Sequence, residues 1–461
     1  MIRIFKHYIP KSLVVLGLVE ACIFIISTYI GTALRFGSEV SSDIQPLFPK
    51  AFLFFVMMAS SMTAMGLYQR HLQNGLRGMF LRVGLSFLVG FVLMSLIFYL
   101  FPALFLGRGV FASAFAVAVI GILIARITYI RLVDQNTIKR RILVLGAGQR
   151  AALIEKLLNR AADRRGFEIV GYVPFGDEEL MIDTAKIVHH ELPIIDIARE
   201  HDVDELVVAV TDRRKGLPVD EILDCKMNGI HIVDQLTFFE RQNGRVILEI
   251  LQPSWLIFSD GFGQSWFRTI SKRLFDVTAS LLLLIVAFPF MIVTIIAIFL
   301  DDRSDIFYRQ VRVGQNWKLF QVLKFRSMRP DAEKISAPQF AEEDDPRVTR
   351  VGRIIRKLRI DELPQLINVL KGDMSFVGPR PERPEFVEQF SESIPYYAER
   401  HRVKPGITGW AQISYPYGAG LEDTIEKLQY DLYYVKNYSL FFDFMILFLT
   451  AEVILWGKGA R

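Results

Sequence analysis

The sequence predicts a multi-domain membrane protein: a four-helix transmembrane bundle, a Rossmann-like, doubly wound α/β domain, and a mainly α C-terminal module. Three observations predict this. Four apolar runs of membrane-spanning length fill the first third of the chain. A buried-strand pattern, a glycine turn and a helical pattern follow at once, and strands then alternate with helices. The last third is dense in short basic motifs around one pair of adjacent carboxylates. At 461 residues there is room for two or three domains. The expected boundaries are 1–138 for the four spans, 139–262 for the α/β domain, 263–301 for a linker and a further apolar helix, and 302–461 for the final module.

Composition supports the membrane. The chain is 52% hydrophobic with a mean hydropathy of +0.31, above the range of ordinary soluble proteins. Its net charge of +5 suits an anionic membrane surface or anionic substrates, and nucleic acid is not an expected partner. Cys22 and Cys225 lie in segments of different character, so neither a disulfide framework nor a thiolate metal site follows. The histidines, His189-His190 included, show no ligand spacing.

The four runs cover roughly Leu13–Leu34, Phe48–Leu67, Phe80–Phe101 and Val110–Val133. No small-residue cleavage site closes the first, and three more follow, so it reads as a span rather than a signal peptide. Arg3, Lys6 and Lys11 precede the first run, Arg70, Arg77 and Arg82 lie around the second connection, and Lys139, Arg140 and Arg141 follow the fourth. The alternate connections are poorer in basic residues. The positive-inside rule therefore places the N-terminus and everything after residue 139 in the cytoplasm.

In the middle domain, Arg141–Leu145 reads as a buried strand, followed by Gly146-Ala147-Gly148-Gln149-Arg150-Ala151 and a helix to about Ala162. Further strands are expected at Glu168–Val173, Glu205–Val210 and His231–Val233. The glycine run fits G-x-G-x-x-A, a permissive dinucleotide fingerprint, but an acidic residue is wanted at the end of the second strand, about twenty residues on. Here that strand runs into Pro174-Phe175-Gly176 before Asp177. The run is a nucleotide site or a plain strand-to-helix turn. No Tyr-x-x-x-Lys pair appears nearby, which weighs against the alternative function, a membrane-anchored, NAD-dependent nucleotide-sugar dehydratase or oxidoreductase.

A fifth apolar stretch runs from Lys272 to Leu300, with Pro289 near its middle, where proline breaks or kinks a helix. Composition leaves two possibilities, a kinked fifth span and a bent helix that returns to the same leaflet. At the C-terminus, Leu440–Trp456 is apolar but contains Asp443 and Glu452. It reads as an interfacial helix or as a packed terminal one. Trp410, Tyr415 and Tyr417 line the lipid interface or belong to the core.

The run from Arg356 to Gln365 stands out. Asp361 and Glu362 follow a basic cluster, and Pro364 comes next, where it is tolerated in the first turn of a helix. Leu363, Leu366, Ile367 and Leu370 then mark an amphipathic stripe. The acids are thus expected at a helix N-terminus, a favourable place for phosphate. Alone, the pattern fits equally a capped helix start. Around it lie Phe307–Gly314, Phe320–Met328 with Lys324 and Arg326, Asp345–Gly352, Gly378-Pro379-Arg380-Pro381 and Lys404–Trp410. Arginine and lysine clamp phosphates, and glycine and proline set tight loops. Asp331, Glu333 and the run Glu342–Asp345 read as a solvated loop.

Together these motifs identify a resemblance to the polyprenyl-phosphate hexose-1-phosphate transferases, large bacterial phosphoglycosyl transferases that start exopolysaccharide or O-antigen synthesis. The resemblance covers the whole architecture. Many relatives carry a Ser/Thr-Leu pair before the acidic dyad, where this chain has Arg359-Ile360, which points to a subfamily and leaves the sugar open. The resemblance implies transfer of a sugar-1-phosphate from a UDP-sugar to undecaprenyl phosphate, with release of UMP. It implies that Asp361 is the nucleophile of a covalent phosphosugar intermediate, that Glu362 helps hold Mg²⁺, and that Lys324, Arg326, Arg356, Arg380 and Pro381 belong to the phosphate and nucleotide site. It also implies that the Pro289 segment is a re-entrant membrane helix, that the protein is a multi-pass homodimer of the bacterial inner membrane, and that its catalytic and α/β domains face the cytoplasm.

Overall fold

The computed structural model describes residues 2–4, 7–9, 11–37, 46–68, 75–134, 139–158, 166–188, 192–211, 217–259, 262, 266–329, 345, 347–415, 418 and 420–455. His189-His190, Asp331, Glu333, Glu342 to Asp344, Tyr417 and Trp456 lie outside these residues. The chain forms two compact units, which divide between Gly244 and Arg245 apart from a few N-terminal residues. Residues 245–262, expected in the α/β domain, therefore fall in the second unit.

Two three-residue strands, β1 (Ile2–Ile4) and β2 (His7–Ile9), precede the apolar helices α1 (Lys11–Phe36), α2 (Leu47–Ala64), α3 (Gly75–Leu100) and α4 (Arg108–Asp134). Each is long and apolar enough to cross a membrane. They meet through a buried aromatic cluster. Phe24 packs edge-on against Phe54, with ring centroids 5.9 Å apart, and Phe87 against Phe115 at 5.1 Å. Small residues let α1 and α4 approach closely: a Cβ on Gly31 would lie 2.7 Å from the Ala114 nitrogen. Leu18, Leu88 and Ile124 point away from this core and are exposed. Inside it, Arg126 pairs with Glu20 at 2.6 Å and donates to the Leu67 carbonyl at 2.5 Å, while the Tyr68 hydroxyl donates to Glu20 at 2.5 Å. A buried charge in an apolar bundle needs such complete pairing.

The α/β domain follows: β3 (Arg140–Leu145), α5 (Gln149–Leu157), β4 (Phe167–Val173), α6 (Ile194–Glu200), β5 (Glu205–Val208), α7 (Val219–Met227), β6 (His231–Asp234) and α8 (Gln235–Asn243). The strands form one parallel sheet in the order β4-β3-β5-β6. Val144 stands beside Tyr172 and Val207, and Ile142 to Leu145 are buried as expected of a central parallel strand. Gly146 has φ +116° and lies so close to Ala209 that a Cβ would sit 2.7 Å from its carbonyl oxygen. The turn therefore requires glycine.

The second unit opens with Val246 donating to the Gln429 carbonyl and Arg245 paired with Glu426. The short helix α9 (Pro253–Phe258) holds Trp255 under the Lys436 ammonium, 3.8 Å from the ring centroid. Then comes α10 (Trp266–Asp302), a single helix that runs through Pro289. Of the two expectations for Pro289, a break or a kink, the break is absent. What proline removes is one amide donor, so the hydrogen bond to the Ile285 carbonyl cannot form. Both ends of α10 hold the same unit. Arg273 caps the end of α12 (Gln365–Lys371) by donating to the Val369 and Leu370 carbonyls at 2.6 Å each, and Asp276 accepts from Ser375 and from the Phe376 amide at 3.0 Å each. Beyond Pro289, Met291, Ile295 and Ile298 pack with Phe325 and Ile355. The middle of α10, Leu282 to Val293, carries a row of exposed Leu, Ile, Val and Phe side chains.

The remaining elements are an antiparallel hairpin of β7 (Phe307–Val313) and β8 (Leu319–Phe325), α11 (Arg350–Lys357), a parallel pair of β9 (Ser375–Val377) and β10 (Gly406–Thr408), α13 (Pro384–Ser393), α14 (Trp410–Ser414), α15 (Leu421–Asn437) and α16 (Leu440–Leu455). In α16, Asp443 is fully buried against Lys272 at 2.6 Å and the Tyr434 hydroxyl at 2.7 Å, and Phe444 packs on Phe275. These contacts favour the packed terminal helix. Trp410 packs against Tyr433 and Phe442, which favours core over lipid interface.

Candidate active site

The acidic dyad sits in a single 3₁₀ turn, Ile360–Glu362, between α11 and α12. Local chemistry sets this geometry. Thr349 caps α11 by accepting from the Gly352 amide at 2.9 Å, and Gly352 lies against the Ser327 backbone, where a side chain would collide. The helix ends at Leu358. Arg359 then adopts a left-handed conformation, φ +58°, uncommon for a residue with a Cβ and of the kind found at functional sites. Pro364 is the N-cap of α12, so the acids lie in their own turn just ahead of that helix, close to where the sequence pattern predicted them.

Two hydrogen bonds from one side chain fix the dyad relative to the hairpin. Asn368 of α12 accepts from the Leu323 amide at 3.0 Å and donates to the Gln321 carbonyl at 2.7 Å. This brings Lys324 of β8 to 3.2 Å from Glu362 Oε1. Arg380, from the loop after β9, reaches the same oxygen at 3.3 Å, and Arg359 lies 4.0 Å away. Arg356 is half-buried, and its charge is felt at Asp361.

The two carboxyls titrate apart. Burial, then the neighbouring Glu362 charge, pushes Asp361 up to about 6, against the pull of Lys324, Arg359 and Arg356. Burial also works against ionised Glu362, but Lys324, Arg380 and Arg359 outweigh it and hold that carboxyl well below the usual range. Burial lowers the Lys324 ammonium. Asp361 Oδ1 is buried without a hydrogen-bond partner among the described residues. Among them, no cluster of three or more His, Cys, Asp or Glu side chains could hold a metal alone; the dyad contributes two oxygen donors.

Of the residues singled out by sequence, Lys324, Arg356 and Arg380 thus gather around Asp361 and Glu362. Arg326 is buried at the end of β8, with its main-chain amide on the Ile306 carbonyl. Pro381 contributes its carbonyl, which accepts from Arg312 at 3.0 Å. Arg359 was not singled out for this role; its place two residues before Asp361 was the signal.

The glycine turn of the α/β domain has a different outcome. Glu178 reaches back from the loop after β4, and its carboxylate accepts from the Thr211 amide at 2.7 Å. A Cβ on Gly148 would lie 2.8 Å from Glu178 Oε2. A negative charge therefore sits where the fingerprint would place a phosphate, beside a cavity of about 250 Å³ that Asp177 and Glu179 also line. This favours the plain turn and weakens the oxidoreductase alternative.

The apolar helices and the cation-ringed carboxylate pair define a membrane-associated protein with a site for anionic chemistry. Residues 267–457 match the model of the bacterial sugar transferases, and residues 63–217 match that of a CoA-binding domain. The chain is 50% identical over 190 residues to a UDP-N-acetylgalactosamine-undecaprenyl-phosphate N-acetylgalactosaminephosphotransferase of Aeromonas hydrophila, covering 41% of this chain and 45% of that protein. It is 31% identical over 338 residues to an undecaprenyl-phosphate galactose phosphotransferase of Salmonella typhimurium, 70% of this chain and 69% of the relative. It is 39% identical over 201 residues to the exopolysaccharide production protein PSS of Rhizobium leguminosarum bv. phaseoli, 41% of this chain and 98% of the relative. The chain belongs to the bacterial sugar transferase family. It spans less than half the length of the Aeromonas relative.

Proposed function

We propose that this protein transfers a sugar-1-phosphate from a UDP-sugar to undecaprenyl phosphate, releasing UMP, as the initiating step of exopolysaccharide or O-antigen synthesis. The observation that carries the proposal is the dyad itself: adjacent carboxyls, one held anionic by cations and the other buried with a raised pKa. The names of the relatives point to the same acceptor.

In the proposed mechanism an Asp361 oxygen attacks the β-phosphorus of the donor. The bond from that phosphorus to the bridging oxygen breaks, and UMP departs with the electron pair. An oxygen of undecaprenyl phosphate then attacks the phosphosugar, and the Asp361 carboxylate leaves. A carboxylate nucleophile splits one difficult displacement into two. At neutral pH Asp361 is ionised, yet desolvated enough to be reactive. Lys324, Arg356 and Arg380 offset the charge of the incoming pyrophosphate. The dyad also fits Mg²⁺, which favours a few carboxylate ligands together with substrate phosphates, and the partnerless Asp361 Oδ1 marks unused oxygen valence there. Glu362 would hold the ion, which would supply further charge neutralisation on the phosphates.

The re-entrant reading of α10 draws support from its two ends. Arg273 and Asp276 on one side of Pro289, and Ile295 and Ile298 on the other, all pack into the unit that carries the dyad. A helix crossing the bilayer would separate those ends by the membrane. The loop charges favour a cytoplasmic site at the inner membrane. The four spans and the α/β domain take part in dimerisation, regulation or partner binding.

The test is UMP release from a panel of UDP-sugars with undecaprenyl phosphate and Mg²⁺, comparing wild type with Asp361→Asn. The expected result is release from one sugar, lost in the variant and with EDTA. Ordinary turnover by Asp361→Asn would sink the nucleophile assignment.

A further inference from the structure

The loop that delivers Arg380 is held in an unusual way. Four consecutive carbonyls, Pro379 to Glu382, are each taken by a separate donor. The Gly406 amide donates to Pro379 at 2.9 Å, the Arg400 guanidinium to Arg380 at 3.0 Å, the Arg312 guanidinium to Pro381 at 3.0 Å, and the Val313 amide to Glu382 at 3.0 Å. Pro379 and Pro381 add their fixed φ. A loop secured at every residue has one conformation, and the Arg380 side chain leaves it toward Glu362 Oε1 at 3.3 Å.

Arg400 is the more deeply buried of the two guanidinium donors. It is 6% exposed, on the 3₁₀ segment Tyr397–Arg402. Its NH2 lies 2.8 Å from Asp431 Oδ2, on α15, and its NH1 donates to the Tyr397 hydroxyl at 2.7 Å. Asp431 is 2% exposed. A buried ion pair of this kind is a poor source of stability, because desolvation offsets the attraction. What this pair does have is a third contact, the carbonyl of an active-site residue.

We propose that Arg400 is a positioning residue, oriented by Asp431 and Tyr397, which locks the Pro379–Glu382 loop so that Arg380 stays on Glu362. This rests on the transferase reading above. Arg400 touches no reacting atom; it acts through the Arg380 backbone. The planar fork matters, since one guanidinium serves Asp431, Tyr397 and the Arg380 carbonyl at once, and a lysine ammonium lacks that geometry. The charged groups around Glu362 are Lys324 from β8, Arg359 and Asp361 from its own turn, and Arg380. When Arg380 drifts, the site loses one of the cations that would meet the substrate phosphates and keeps the others.

The test compares wild type, Arg400→Lys, and the double variant Arg400→Met/Asp431→Leu, which removes the buried pair without leaving a lone charge. UMP release is followed over a range of UDP-sugar concentrations, with thermal midpoints measured alongside. The expected result is a loss of kcat on the order of tenfold to a hundredfold, with a smaller change in KM. The loss in kcat persists where the thermal midpoint is close to wild type. A purely structural role would lower activity only in proportion to the folded fraction. Wild-type kcat in a folded Arg400→Lys protein overturns the proposal, as does activity that falls only with the folded fraction. If the double variant fails to fold, Arg400→Lys decides. A wild type silent with every UDP-sugar overturns the transferase reading and this role with it. A working wild type with unaffected variants overturns the positioning role alone.

Discussion

Asp361 and Glu362 share a backbone turn, yet their carboxyls are displaced in opposite directions, and this has consequences for stability as well as activity. A carboxyl whose pKa rises on folding favours the folded state only while protonated. That contribution is complete below the unfolded value and is lost as pH climbs through about 6. Asp361 therefore costs the folded protein stability at neutral pH. Asp361→Asn should stabilise the folded protein at pH 7.5 by about 1–3 kcal/mol in denaturant unfolding, with the midpoint gain shrinking toward pH 4. A midpoint unchanged at both pH values would show that the carboxyl is not buried in this way. For wild-type turnover, the acid limb of kcat/KM is expected near pH 6. Lys324→Ala, which removes a cation from the pair, should move it upward. The sequence made these residues visible because charged and proline residues are chemically distinctive. Arg359 and Arg400 were not legible in that way, because their roles depend on a backbone torsion and on a carbonyl distant in sequence.

Among the elements, α12 and β8 form the frame of the site, and Asn368 is the joint between them. Asn368→Ala removes both hydrogen bonds and leaves the Leu323 amide and Gln321 carbonyl to find new partners. The expected cost is about 2 kcal/mol in denaturant unfolding, with reduced turnover as Lys324 loses its register with Glu362. Full activity in a folded variant would remove Asn368 from this account. Helix α10 shows where local rules yielded to context. Proline in the middle of a helical run predicts a break or a kink, and here the helix does not break, because a single lost hydrogen bond can be outweighed by packing at both of its ends. The strands of the α/β domain were legible to within a few residues, since a strand buried on both faces leaves an unbroken apolar run. The role of its glycine turn was not, because the side chain that fills the phosphate position arrives from Glu178, across the loop after the second strand.

At the scale of the whole molecule, the second unit begins at Arg245, where Arg245, Val246 and Trp255 are bound to α15. A truncated protein beginning at Arg245 should fold in detergent and retain UMP release, whereas one beginning at 263 gives up those three contacts and should unfold at lower temperature. Loss of all activity from a folded Arg245–Arg461 fragment would assign the first unit a role in the chemistry. The sequence alone determined the apolar helices, their order, the parallel domain and the location of the dyad. Each of these is written in local composition and period, which the chain carries wherever it folds. Only the tertiary structure decided which cations meet Glu362, that Asp361 is desolvated, that Glu178 lies against the glycine turn, and that α10 has both ends on one unit. Burial and charge pairing are properties of residues far apart in the chain, and no local pattern encodes the distance between them.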